Sequence, residues 1–369
     1  MSTKADTRTD VQLFKTRLGE YKHLIDADIE AYSAGLQKRT LQDYGASARL
    51  ITDSYLDILA RGGKRIRGSL TMLGYEMCGG TDTKMVLQAA RAVEMIHAYL
   101  LIMDDIQDRG LTRRGGPTVP VMLAGHHTRH HLAGDAKHFG VAMALNAMGI
   151  GNHAAQEIMA GLDAPEGRRL EVLSILNRSI IITAHGQTND IMNEVVAHVD
   201  EADIERVLEW KTAHYTFLNP LHIGMVLAGA DKDTLKAIEG YALHAGKAFQ
   251  ITDDILGVFG SEFESGKSPM DDIREGKRTV LSTYALEHAP NGNKNFLLQM
   301  LGNTGLTPAE FERCKDIMVE TGALKHAQDR AEVHVKQAVA ALEGTKMPWS
   351  HDGARFLRGL SFYLLDRNS

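Results

Sequence analysis

Cysteine is nearly missing from this sequence. Its 369 residues hold two, Cys78 and Cys314, which gives neither a disulfide framework nor the paired spacing of a thiolate metal site. That usage suits a reducing compartment. The polar opening MSTKADTRTD has no apolar core of a signal peptide, so the expected location is cytoplasmic. Proline is scarce at 8 residues, and the period-two alternation that marks strands is thin. There is no basic surplus: the net charge of -6 excludes a nucleic-acid footprint. A membrane span is not expected either. The longest uncharged runs, 139–156 and 214–230, are broken by His, Asn, Gly or Pro and fall short of about 20 apolar residues.

What is present is helix. With 44% hydrophobic and 24% charged residues the chain has material for a large core. Residues 84–108 are apolar all round, which predicts a helix buried on most sides. Residues 172–194, 203–229 and 233–257 read in the same way, with Gly- or Pro-rich breaks at 110–117, 161–167, 257–270 and 289–293. The segment HAPNGNKN (288–295) is read as an interhelical loop, because the C-terminal part of the chain is too thin in apolar residues for a core of its own. The expectation is an all-α, many-helix bundle with a site between facing helices, in one domain over 1–369, residues 1–30 forming a flexible N-terminal extension.

Two stretches are unfavourable for a helix on local grounds. In LIMDDIQDRGLTRRGGPT (101–118) Asp104 and Asp108 fall one turn apart, with Asp105 between them. Like charges at that spacing repel, and Gly110 places them near a helix C-terminus, where the macrodipole also disfavours anions. In FQITDDILGVFG (249–260), Gln250, Asp253 and Asp254 share one face, and Gly257 and Gly260 again put the acids near an end. A hard divalent cation removes both penalties. Mg²⁺ prefers one or two carboxylates completed by water and phosphate, and an all-oxygen donor set favours Mg²⁺ or Mn²⁺ over Zn²⁺.

Cations cluster nearby in the sequence. GGKRIRG supplies Lys64, Arg65 and Arg67; Arg113 and Arg114 follow the first acids; GKSPMDDIREGKRT supplies Lys267, Arg274, Lys277 and Arg278. Acid pairs beside Lys and Arg at Gly-rich turns suit a polyphosphate gripped by metal on one side and guanidinium forks on the other. His97 lies two turns before Asp104 and within about 20° of it on a helical wheel.

In order along the chain, GGKRIR, DDIQD followed by RR-G-PT, GQTND (186–190), Lys211-Thr212 and FQITDD resemble the landmarks of the trans-isoprenyl diphosphate synthases of the polyprenyl synthetase family. The similarity runs from about residue 30 to about residue 290. It implies an all-α bundle of mostly antiparallel helices around a central cavity, usually as a homodimer, condensing isopentenyl diphosphate with an allylic diphosphate. Asp104 and Asp108, helped by Asp105, would hold two Mg²⁺ ions on the allylic diphosphate, and Asp253, supported by Asp254, a third. Arg113, Lys211, Lys267 and Lys277 would bind the allylic diphosphate; Lys64, Arg67, His97 and Arg114 would bind isopentenyl diphosphate. Thr212, Gln187 and Gln250 would line the reacting carbon. One aromatic five residues before Asp104, Tyr99, with Leu100 rather than a second aromatic beside it, resembles the geranylgeranyl type; two aromatics would suggest the farnesyl type.

The chain departs from the family pattern at Gly257, where many relatives carry the last carboxylate of a DDxxD; Asp271 or Asp272 is a substitute from further along, with Asp253 expected to bind metal alone. The five histidines of GHHTRHHLAGDAKHFG (125–140) fit no zinc spacing and are expected to join two helices. Three rivals are weighed. A class I terpene cyclase would not need Lys64, Arg67 and His97. A non-catalytic partner subunit would tend to lose the first acid cluster, which is intact here. A di-iron bundle would need Glu-x-x-His pairs that the sequence lacks.

Overall fold

Helix accounts for almost all the regular structure in the computed structural model, which describes residues 4–260, 268–344 and 349–366. The first ten helices are α1 (Lys4–Tyr44), α2 (Ala46–Ala60), α3 (Ile66–Met77), α4 (Thr83–Gln107), α5 (Val119–Arg129), α6 (Ala136–Ala160), α7 (Glu166–Val195), α8 (Glu201–Val207), α9 (Asn219–Ala228) and α10 (Lys232–Phe259). Shorter helices and the long helices Ala323–Gly344 and His351–Asp366 complete the chain. Two features escape the helical pattern. Residues Leu208–Leu218, between α8 and α9, form a π-helix, and Thr112–Arg113 pairs antiparallel with Gly116–Pro117 in a minimal hairpin.

The chain packs as two compact units. One comprises Thr16–Ser174 and Ile223–Gly229, and is called the α4 unit below. The other, the α10 unit, comprises Met1–Lys15, Ile175–His222 and Ala230–Ser369.

In the α4 unit, α4 is buried on nearly every side, as its all-round apolar pattern requires. By length and composition alone α4 is also the one helix among the described residues able to cross a membrane, a stretch the uncharged-run reading passed over. However, 78% of that window is buried inside the protein, and the helix carries the buried Glu94, His97 and Asp105. Tyr55 of α2 donates from its hydroxyl to the Met95 carbonyl at 2.7 Å, and Gly151 of α6 leaves the space its ring fills. Tyr21, Ile25 and Ile29, spaced four apart on α1, are buried, each stabilising by roughly 1.5–3 kcal/mol. The stripe is hard to see in the sequence because charged residues fill the positions between.

The α10 unit fastens the earliest described residues too. Asp10, 1% exposed, accepts from Arg355 at 2.8 Å and Arg358 at 2.6 Å, while Phe14 packs edge-on to Phe356 with ring centres 5.0 Å apart. Helix α10 lies against the π-helix and Ala323–Gly344. A polar node ties these elements together. Lys247 pairs with Glu205 at 3.1 Å and Glu209 at 2.7 Å, and His334 donates from Nε2 to Glu205 at 3.3 Å. Burial opposes the charge on Glu205, but His334 and Lys247 outweigh it and hold its pKa at about 2.

Candidate active site

Helix α4 delivers the first acid cluster. Asp82 caps its N-terminus by accepting from the Met85 amide at 3.1 Å. At the far end Asp108 is the C-cap residue, its amide donating to the Asp104 carbonyl at 2.8 Å, while the Gly110 amide donates to the Asp105 carbonyl at 2.9 Å. The acids therefore sit on the last turn, as expected. Asp104 and Asp108 are half-buried and one turn apart, whereas Asp105 turns inward and is fully buried. Arg113 donates from Nε to Asp105 Oδ1 at 2.8 Å and from Nη2 to Asp104 Oδ2 at 3.0 Å. Burial raises the Asp105 pKa to about 6 against the pull of Arg113. Its Oδ2 has no hydrogen-bond partner among the described residues.

The hairpin that aims the arginines is a two-residue turn with positive φ at both central positions, Arg114 (51°) and Gly115 (73°). That is the type I′ geometry, whose twist matches the strands it joins. Arg61 of α2 fixes it, donating from Nη1 to the carbonyls of Arg113 at 3.0 Å and Pro117 at 2.8 Å while Nη2 pairs with Asp57 at 2.5 Å. Arg114 Nη2 and Arg67 Nη1 both donate to His97 Nε2, at 3.1 Å and 3.3 Å. A guanidinium only donates, so Nε2 carries the lone pair, the proton sits on Nδ1 and His97 is neutral. Its pKa is held well below the usual histidine value by burial and then by Arg67, Arg114, Arg113 and Arg65. Burial likewise lowers Arg114 to about 10, with Glu94 opposing and Arg65, Arg67 and Arg113 adding.

The GGKRIR turn is built around that group. Gly63 has φ +114°, and a Cβ there would stand 3.0 Å from Arg114 Nη2, so only glycine satisfies both backbone and space. Lys64 is exposed and Arg67 buried. Arg65, counted among the cations from sequence, turns inward instead. It donates to Asp26 at 2.8 Å, Glu94 at 3.3 Å and the Leu59 carbonyl at 2.7 Å, which makes it a strut. Tyr99 is half-buried with its hydroxyl 3.9 Å from Met103 Sδ, and Leu100 is buried.

In the α10 unit, Asp253 and Asp254 stand near the end of α10. Thr212 donates to Gln250 Oε1 at 2.6 Å, and Gln250 Nε2 donates to Asp254 Oδ1 at 2.7 Å, so the π-helix and α10 orient each other's polar groups. Burial, then Asp272, Asp190 and Asp253, drives the Asp254 pKa well above the carboxylate range despite the Gln250 hydrogen bond. At the departure from the family pattern, a Cβ on Gly257 would run into Asp272 Oδ2. Asp272, 8% exposed, thus occupies the space in which a side chain at 257 would begin. Asp271 instead lies 3.6 Å from Arg274.

Lys211 Nζ donates to Asp190 Oδ2 at 2.6 Å, and Lys277 Nζ reaches Glu194 at 2.7 Å and Asp190 at 3.4 Å. The contact is possible because Gly186 of α7 lies against the Lys211 backbone, where a Cβ would collide. Gln187 beside it is buried with Nε2 lacking a partner among the described residues. Lys267 lies outside the described residues. Arg274 is tied to the Leu306 carbonyl at 3.4 Å.

Sequence reasoning missed Asp190, Glu194 and Arg61, and weighed Asp272 without settling on it; the only signal for Asp190 is its place at the end of GQTND. In the histidine-rich stretch, His126 and His130 have ring centres 4.3 Å apart and His127 donates to the Ala133 carbonyl at 3.1 Å. Among the described residues no three His, Cys, Asp or Glu side chains form a ready-made metal cage.

An all-α architecture that sets acid pairs on helix ends, the first with Arg113 against it, suits a helical enzyme class that handles diphosphates. The sequence model of the polyprenyl synthetase family matches residues 48–318, and the chain belongs to that family: it is a prenyltransferase that makes trans-prenyl diphosphates. It is 32% identical to a geranylgeranyl diphosphate synthase of Saccharolobus solfataricus, over 86% of this chain and 91% of the relative. It is also 32% identical to a geranylfarnesyl diphosphate synthase of Aeropyrum pernix, over 78% of this chain and 85% of the relative. Among solved structures it resembles a geranylgeranyl pyrophosphate synthase of Corynebacterium glutamicum, complexed with isoprenyl diphosphate and magnesium, with a TM-score of 0.85, 27% identity and full coverage of both chains.

Proposed function

We propose that the chain condenses isopentenyl diphosphate with an allylic diphosphate to give geranylgeranyl diphosphate, acting as one prenyltransferase over residues 1–369. The observation that carries this reading is the first acid cluster. Asp104 and Asp108 sit one turn apart beside Arg113, and His97 is held neutral between two arginines. The donors fit Mg²⁺: Asp104 and Asp108 are half-buried carboxylates one turn apart, with the buried Asp105 between them keeping one oxygen without a partner among the described residues, and a hard cation would relieve the crowding of charge. Asp104 and Asp108 would hold two ions and Asp253 a third. The metal supplies positive charge that stabilises the departing diphosphate.

The protein's own groups do the rest. In the α4 unit Arg113 is a ligand for the allylic diphosphate, and in the α10 unit Lys211 and Lys277, with Lys267, are ligands for a diphosphate. Lys64, Arg67 and Arg114 bind isopentenyl diphosphate, with His97 as an uncharged acceptor that fixes both guanidiniums. Thr212, Gln250 and Gln187 turn oxygen dipoles toward the allylic cation. The double bond of isopentenyl diphosphate attacks the cation, and the proton then lost goes to the released diphosphate. Tyr99 closes the path of the growing tail. A homodimer fits the exposed apolar side chains Val141 and Leu145 on α6, and Leu170, Ile181 and Met192 on α7.

The test is product analysis. Purified protein is incubated with Mg²⁺, isopentenyl diphosphate and, separately, dimethylallyl, geranyl and farnesyl diphosphate, with and without a chelator. The expected result is linear geranylgeranyl diphosphate that disappears on chelation. A shorter or longer linear product keeps the chemistry and discards the Tyr99 reading. A cyclic hydrocarbon points to a cyclase, and no product at all to a partner subunit.

A further inference from the structure

Lysine is a poor residue for precise recognition unless something holds it. Its ammonium is a point charge on a flexible four-carbon stem, and two ammoniums placed together repel. In the α10 unit two lysines far apart in sequence converge on a single oxygen. Asp190 Oδ2 accepts from Lys211 at 2.6 Å and Lys277 at 3.4 Å, so the two nitrogens lie no more than 6.0 Å apart (2.6 plus 3.4). Glu194, one turn further along α7, takes a second hydrogen bond from Lys277 at 2.7 Å. Asp190 and Lys277 are 8% and 9% exposed in their side chains, whereas Lys211 keeps 23%. Asp190 and Lys277 are thus at the back of the group, and Lys211 and Glu194, the latter 18% exposed, lie nearer the surface.

We infer that Asp190, with Glu194 behind it, is the positioning residue that makes Lys211 and Lys277 a single two-pronged clamp for the allylic diphosphate. The inference rests on the reading that these lysines bind a diphosphate. An ammonium has three donors, so each lysine can keep its carboxylate and still give a hydrogen bond to a phosphate oxygen. With Glu275 4.0 Å from Lys277 Nζ as well, two lysines meet three carboxylates, so the group has no positive surplus and adds little long-range attraction. What it adds is placement, with the mutual repulsion of the lysines cancelled by the anion they share.

This gives a test whose sign separates placement from charge. Asp190→Asn removes a negative charge beside the diphosphate site. If charge alone mattered, anion binding would tighten. If Asp190 positions the lysines, binding weakens. Binding of inorganic pyrophosphate with Mg²⁺ would be measured by calorimetry on the full chain, beside KM for each substrate. For Asp190→Asn the expected result is pyrophosphate binding weaker by about tenfold, as for loss of one charge-assisted hydrogen bond. KM for the allylic substrate should rise in step and KM for isopentenyl diphosphate stay unchanged. Asp190→Glu should recover part of the loss. The less buried Glu194→Gln should shift the same two quantities in the same direction by a smaller factor, and it carries the test if Asp190→Asn does not fold. Unchanged or tighter pyrophosphate binding in the folded variants overturns the inference, as does an equal rise in both KM values. A wild-type protein that binds pyrophosphate but transfers no prenyl group would overturn the functional reading and leave the clamp standing.

Discussion

The guanidinium of Arg113 stands 2.6 Å from Oδ1 of the fully buried Asp105. Of the three acids in DDIQD, Asp105 is therefore the one that builds the site, by holding the arginine that lies against Asp104. Asp105→Ala leaves a largely buried guanidinium without its main partner and should cost roughly 3–5 kcal/mol of stability. Asp108→Ala removes an anion from a helix C-terminus, where it is disfavoured, and should leave stability unchanged or slightly raised while turnover falls by orders of magnitude. Urea unfolding of both variants, read beside their activities, checks the division of labour. Equal loss of stability in the two would contradict it.

Restoring the family's fifth carboxylate should do harm. Gly257→Asp pushes a side chain into the space held by the Asp272 carboxylate, an overpacking worth about 1–3 kcal/mol, and adds a charge beside Asp254. A lower melting temperature and lower turnover are expected. A more active variant would mean that Asp272 yields the space freely.

The node around Glu205 sets an acid limit on stability. Its carboxylate is held at about 2 when folded, against an ordinary value of 4.5. A depressed folded pKa means stability that is fully present above about pH 4.5 and lost as the pH falls toward 2. Glu205→Gln should flatten the loss of stability across that window, measured by denaturant unfolding at several pH values. Parallel curves for variant and wild type would place the acid sensitivity elsewhere.

How much of this was legible beforehand depends on sequence distance. The acid pairs and the cations after them lie within single turns or short loops, so spacing alone places them. The strut made by Arg65 and the Asp190 brace depend on partners far along the chain: Asp26 and Glu94 for Arg65, Lys211 and Lys277 for Asp190. Spacing carries no information about such pairs. The type I′ turn was readable in principle from Arg-Arg-Gly-Gly, but arginine is a rare choice for its first left-handed position. The continuous helix expected over 203–229 is there in outline, and only its hydrogen-bond register differs through Leu208–Leu218.

Tyr99 is proposed to limit product length. Tyr99 is half-buried on α4 with its hydroxyl near Met103, so Tyr99→Ala opens room without unseating the buried Leu100. Products identified by mass should shift to longer chains. An unchanged distribution would put the floor of the cavity elsewhere.

The π-helix that carries Lys211 and Thr212 holds its residues in a wider register than an α-helix would. Deleting one residue between Leu208 and Leu218 would let the segment relax into an ordinary α-helix with better hydrogen bonds. It would also rotate everything on one side of the deletion by about 100° relative to the other. Lys211 could then no longer meet Asp190, nor Thr212 meet Gln250. A more regular helix here would thus come only at the loss of both pairings.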